Sequence, residues 1–141
     1  MANKQVVVFE MADGEYGIDV TAVNGILRLK NFTIKKMPNV SPIIEGVINI
    51  RGNVNYIYNL TRLFELPEKP PDIENKIIMI YSGEQIVGYI VDEVTDIINI
   101  PEENIEHAPD FITRIQGEYI AGVGKFEDRL IIMLDTEKIS K

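Results

Sequence analysis

The chain has 141 residues, 45% of them hydrophobic, and its 22 acidic against 14 basic side chains leave a net charge of −8. This is one domain's worth of sequence with enough apolar content to build a core, which excludes global disorder. There is no cysteine, which excludes disulfide scaffolds, Cys-containing zinc sites and thiol nucleophiles, and the acidic balance argues against binding a phosphate backbone.

The opening Met1-Ala2-Asn3-Lys4-Gln5 lacks the apolar stretch of a secretory leader. No run approaches the roughly 18 uncharged residues of a membrane span. A soluble, cytoplasmic protein without direct membrane insertion is expected. An apolar run at 6–9 is followed by a turn at Asp13-Gly14 and a second run at 16–20. The runs at 43–50 and 54–60 flank a turn at Arg51-Gly52-Asn53, and others cover 77–81, 86–91, 96–100, 119–126 and 130–134. Short Val- and Ile-rich runs bounded by Gly, Asn and Asp predict strands. Short helices are expected at 21–25, 60–64 and 135–139. Glu102-Glu103 after Pro101 predicts the first turn of another, where acids favour the positive helix end.

The chain repeats itself. Displaced by 71 residues, Val6-Val7-Val8-Phe9 falls on Ile77-Ile78-Met79-Ile80, Gly17 on Gly88, Val20 on Val91, Val23 on Val94, and Ile26-Leu27 on Ile97-Ile98. Displaced by 76, Ile44-x-Gly46-Val47 falls on Ile120-x-Gly122-Val123. Glycines in register at both displacements point to a duplication, with a five-residue insertion in the second copy. The whole of 1–141 then reads as one unit with halves at about 5–66 and 73–139. The stretch 66–72, with three prolines that cannot donate ladder hydrogen bonds, reads as the linker. Each half holds about five strands, and two small barrels side by side leave a groove between them. A binding module is expected.

Little in the chain suggests catalysis. The single histidine, His107, lies in a loop-like stretch, and no nucleophile elbow, phosphate loop or dinucleotide fingerprint occurs. Asp92, Glu93 and Asp96 form an acidic cluster that could hold a hard cation or hydrolyse a substrate. Alternating carboxylates on a solvent-facing strand are equally ordinary. No catalytic residue, metal or cofactor is expected. Arg51 differs, because Gly52 is expected to take a positive φ and hold it at a fixed turn. From there a guanidinium suits bidentate contact with a partner carboxylate, an ordinary solvated arginine being the alternative.

Four segments in order carry a resemblance: Glu15-Tyr16-Gly17-Ile18-Asp19-Val20-x-x-Val23, Gly46-Val47-Ile48-Asn49-Ile50-Arg51-Gly52, Val87-Gly88-x-x-Val91-Asp92-x-Val94, and Leu130-Ile131-Ile132-Met133-Leu134-Asp135. Together they resemble the CheW family of chemotaxis coupling proteins, whose fold also occurs in the CheA regulatory domain and at the start of CheV proteins. The resemblance runs from Val6 to Ile139. It implies an all-β fold of two pseudo-symmetric five-stranded SH3-like β-barrels with a few short helices, without catalysis or cofactor. It implies a cytoplasmic adaptor recruited to receptor arrays at the inner face of the membrane. The implied partners are the cytoplasmic tips of methyl-accepting chemotaxis receptors and the regulatory domain of a CheA-type histidine kinase. Carried over residue by residue, receptor binding would use Val7, Val20, Val23, Ile26 and Val94, with Arg51 nearby. Phe111 and Glu106 would meet the kinase domain in a ring. The chain departs from the family pattern at Asn55-Tyr56 and Asn59, where proline and aspartate are usual, at Gly25 in place of a frequent glutamate, and at Glu106 where a basic residue can stand. The alternatives are a similar adaptor in another receptor–kinase pathway, or a small hydrolase or metal-binding protein using Asp92 and Asp96.

Overall fold

The structure is a computed structural model describing residues 3–67, 72–106 and 119–139. Its strands are β1 (Asn3–Met11), β2 (Gly14–Asp19), β3 (Val23–Arg28), β4 (Ile44–Ile50), β5 (Asn53–Asn59), β6 (Lys76–Ser82), β7 (Gln85–Val91), β8 (Glu93–Pro101), β9 (Ile105–Glu106), β10 (Ile120–Phe126) and β11 (Arg129–Leu134). Two four-residue helices, α1 (Leu60–Leu63) and α2 (Thr136–Ile139), follow β5 and β11. The strands form two curled sheets, ordered β8-β1-β2-β11-β10-β9 and β3-β6-β7-β5-β4. These are the first and second barrels.

The duplication is visible atom by atom. A Cβ on Gly17 would meet Val6 Cγ1 at 2.5 Å and Met133 Sδ at 3.1 Å, and one on Gly88 would meet Ile77 Cγ2 at 2.8 Å and Ile57 Cδ1 at 2.7 Å. Those neighbours are themselves repeat equivalents. Gly46 and Gly122 likewise sit against the carbonyl oxygens of Lys35 and Glu106, which would lie 2.5 and 2.6 Å from an added Cβ. The first barrel has a sixth, two-residue strand, β9, whose Glu106 pairs with Val123. Its counterpart is the single bridge between Lys35 and Val47.

The halves and the barrels do not coincide. β1 and β2 pair with β8 and β11, whereas β3, β4 and β5 join β6 and β7. The crossings are the short stretches between β2 and β3 and between β7 and β8, so the 66–72 stretch joins α1 to β6 within the second barrel. The reason is that two equivalent pairings both join strands of different halves. β2 runs parallel to β11 through Tyr16 and Gly17, and β7 runs parallel to β5 through Gly88 and Tyr89.

This exchange explains the unalternated apolar runs. In β1, Val6 and Val8 point into the first barrel while Phe9 and Met11 point into a core between the barrels. In β6, Ile77 and Met79 fill the second barrel while Ile78 and Ile80 enter the same shared core. A strand buried on both faces shows no period of two. Leu60, Phe64 and Ile139 of the helical turns complete the shared core.

Residues 21–25, expected to be helical, are mostly strand. A 3₁₀ turn covers Val20–Ala22, with Asp19 Oδ1 accepting from the Thr21 N–H at 3.0 Å, and β3 begins at Val23. Gly25 interrupts the local apolar run and hides β3, which the repeat register with Val94 and Ile97 nonetheless marks.

Candidate partner-binding surface

Val23 and Val94 occupy matching places. Val23 lies across from Ile80 in β6, and Val94 across from Phe9 in β1. Both are half-buried and pack against the shared core, so they border the junction of the barrels from its two sides. Val20, in the 3₁₀ turn, is half-buried, and Ile26, outward on β3, is 40% exposed. Its equivalent on β8, Ile97, is 55% exposed. Val7 is different. At 1% exposed it belongs to the core and cannot face a partner, because β1 is buried on both faces.

Arg51 sits where the sequence places it, on the two-residue turn between Ile50 and Asn53, but it takes a left-handed φ of 51° itself, ahead of Gly52 at 86°. This matches a type I′ hairpin turn, which needs positive φ at both central residues. The Gly52 N–H donates to Asn49 Oδ1 at 3.0 Å and locks the turn. Arg51 lines a cavity of about 420 Å³ at the open end of the second barrel together with Asn24 of β3, rather than with Val94. Among the described residues it has no hydrogen-bond or ion-pair partner.

Charge is unevenly shared. The segments 3–19, 92–106 and 119–139, which build the first barrel, hold 14 acidic and 4 basic residues; 20–67 and 72–91, which build the second, hold 5 and 7. No acidic residue falls between Asp19 and Glu45, a stretch containing Arg28, Lys30, Lys35 and Lys36. Glu106, on the edge strand β9, pairs with Lys125 Nζ at 3.3 Å, both side chains being exposed. Phe111 and His107 lie outside the described residues.

The carboxylates of the acidic cluster are turned apart. Asp96 accepts from Arg129 Nη2 at 2.8 Å, and this bond holds its carboxyl below the usual range. Asp92 Oδ2 accepts from the Ala12 N–H at 3.2 Å. Glu93 bonds Lys76 Nζ, which likewise lowers its carboxyl. Among the described residues no three His, Cys, Asp or Glu side chains are grouped to hold a metal ion.

Sequence reasoning passed over Arg129. Its Nε and Nη2 donate to Glu15 while Nη2 also reaches Asp96, tying the β10–β11 hairpin to β2 and β8 across the open end of the first barrel. The repeat register carries the signal, since Asn53 stands at the equivalent of Arg129, Ile86 at that of Glu15 and Gly25 at that of Asp96.

The departures near β5 are accommodated. Asn59 Oδ1 accepts from the Arg62 N–H at 3.3 Å and caps α1, as Asp135 caps α2 through the N–H groups of Glu137 and Lys138. Asn55 Nδ2 donates to the Ile86 carbonyl at 2.9 Å, leaving Tyr56 38% exposed.

Comparison with known proteins gives one consistent result. The CheW-like domain family matches residues 5–141. The chemotaxis protein CheW of Bacillus subtilis is 35% identical over 96% of this chain and 86% of its own length. That of Klebsiella aerogenes is 31% identical over 96% and 81%. The crystal structure of the scaffolding protein TtCheW from Thermoanaerobacter tengcongensis superposes with a TM-score of 0.87 at 31% identity, covering 95% of this chain and 90% of that one. The two curled sheets therefore match two SH3-like barrels.

Proposed function

This chain belongs to the CheW-like family of chemotaxis scaffolds, and from that premise we propose that it couples the cytoplasmic tips of methyl-accepting receptors to the regulatory domain of a CheA-type histidine kinase, without catalysis of its own. The observation that carries the reading is the whole-chain match in sequence and fold to a scaffolding protein. Among the described residues no helix is long and apolar enough to cross a membrane. The proposed location is the cytoplasm, with recruitment to receptor arrays through the partners.

Receptor binding is assigned to the junction bordered by Val23 and Val94, with Val20 and Ile26 beside it and Arg51 orienting the partner. A receptor helix would lay an apolar face on these short aliphatic side chains. Arg51 would fix its orientation through a charge-assisted bond. Contact with the kinase domain is assigned to the first barrel's edge at Glu106 and to Phe111.

The test is binding of purified receptor fragments and kinase regulatory domain. Ile26 is exposed enough for Ile26→Asp to fold, and this variant should lose about 1–4 kcal/mol of receptor binding, as central truncations do, while keeping the kinase domain. Phe111→Ala should do the reverse. Val23→Asp is the poorer probe, because a charge against the shared core unfolds the protein. If folded Ile26→Asp binds receptor fragments like the parent, the groove assignment fails.

A further inference from the structure

Past the end of β3 that lies away from Asn24, two adjoining cavities of about 690 and 150 Å³ share Lys30 and Ile73 and form one trough. Its lining comes from the stretches 28–36 and 72–76, joined by the Leu29 N–H donating to the Asn75 carbonyl at 3.0 Å, and from Glu45 and Arg62. Leu29 is buried, Phe32 and Ile34 are half-buried, and Ile73 is 68% exposed. The repeat shows which of these residues packing requires. Displaced by 71, Leu29 falls on buried Ile100 and Ile34 on half-buried Ile105. The surface positions are not kept, since Arg28, Lys30, Phe32 and Lys35 fall on Asn99, Pro101, Glu103 and Glu106. Buried Glu45, whose Oε2 lies 3.3 Å from Arg62 Nη2, falls on Ala121 at the displacement of 76, so this ion pair has no counterpart. The two copies share a core here and differ in what they show to a partner.

Five cations and three carboxylates line the trough. Glu45 holds Arg62, and Lys76 Nζ turns to Glu93 at 3.2 Å. Asp72 and Glu74 belong to the stretch 72–76, where Asp72 Oδ1 accepts from the Glu74 N–H at 2.9 Å. Arg28, Lys30 and Lys36 are exposed and have no ion-pair partner among the described residues. Uncompensated cations beside an exposed isoleucine fit an acidic protein segment that carries an apolar side chain. Continuity with the receptor surface says whose segment it is. Arg28 lies two residues beyond Ile26 on the same exposed face of β3, about 7 Å along the strand, or a little over one turn of a docked helix. We propose that the receptor helix seated at the barrel junction runs on over Arg28 and places an acidic turn in this trough. An apolar side chain of that turn meets Ile73 and Phe32, and its carboxylates pair with Arg28, Lys30 and Lys36. This rests on the receptor assignment above and adds to it a charge-selective anchor outside the junction.

The absence of cysteine makes a clean test available. Ile73→Cys puts a unique thiol in the trough, and Leu130→Cys puts one on the first barrel, where Leu130 is 62% exposed. The alkylation rate of each is measured with and without a receptor cytoplasmic fragment. The fragment should slow alkylation at position 73 by about tenfold or more and leave position 130 unchanged. Arg28→Glu/Lys30→Glu should weaken binding of the fragment by about tenfold or more and flatten its salt dependence, while binding the kinase regulatory domain as before. Lys4→Glu/Lys138→Glu makes the same change in net charge outside the trough and should weaken receptor binding by less than about threefold. Receptor binding without protection at 73, or equal losses in the two charge variants, overturns the trough. The junction reading then still stands where Ile26→Asp loses the receptor. Ile26→Asp binding the fragment like the parent, together with no protection at 73, overturns both.

Discussion

Arg129 and Glu15, 114 residues apart in sequence, form the closest ion pair of the described structure, with Nη2 2.7 Å and Nε 3.0 Å from the same carboxylate oxygen. The pair holds the β10–β11 hairpin, from the end of the chain, against β2 from its start. Both side chains are about one third exposed, so water screens the attraction. Arg129→Ala should lower stability by about 1 kcal/mol in urea unfolding. Arg129→Lys should recover little of it, because an ammonium cannot reproduce the forked contact.

Asp96 adds a pH dependence. The hydrogen bond from Arg129, and after it one from Thr95, lowers its folded-state pKa below the unfolded value. The stability it contributes is present above roughly pH 4, the unfolded carboxylate range, and is lost as pH falls through the lower folded value. The parent should therefore lose stability more steeply than Asp96→Asn below about pH 4. The two melting-temperature curves should converge in acid; parallel curves would refute the assignment.

Glycines at matching places should respond alike. Gly17→Ala and Gly88→Ala each force a methyl to within 3 Å of side chains in a barrel core and should cost about 1–3 kcal/mol apiece. Gly25→Ala enters open space and should be neutral or stabilising by up to about 1 kcal/mol. Chemical denaturation of the three variants separates these outcomes.

The exchange of strands between halves predicts how fragments behave. Separately expressed 1–67 and 72–141 each lack the pairing partners of their outer strands and should be unfolded alone. Mixed, they should regain the far-ultraviolet signature of β-structure and a common melting transition. A folded, monomeric 1–67 would contradict the topology.

Most strands were legible because Val- and Ile-rich runs between turn residues carry their own signal; β3 was missed, because Gly25 breaks its apolar run and 21–25 read as a helix, although Val23 and Ile26 stand in register with Val94 and Ile97 of β8. The strand exchange was not legible. Registers at 71 and 76 residues say which strands are equivalent, not which of two identical-looking neighbours each one chooses. Val7 was misread as a contact for the same reason, since its burial follows from β1 lying between two cores. Arg51 was placed correctly at a turn, but the cavity beside it arises from what Asn53, Ile86 and Gly25 fail to do. A lack of side-chain reach shows only when the first barrel stands beside the second.

The crossed topology also constrains how such a chain could have arisen. A single half cannot close its own barrel, since the strands that complete it come from the other copy. A half-length ancestor of this architecture would have been self-sufficient only as a homodimer, each subunit lending its first two strands to its twin. Gene fusion then turns a concentration-dependent pair into one polypeptide. It also frees the two copies to diverge, so that one barrel end acquired an arginine clasp while the other stayed open.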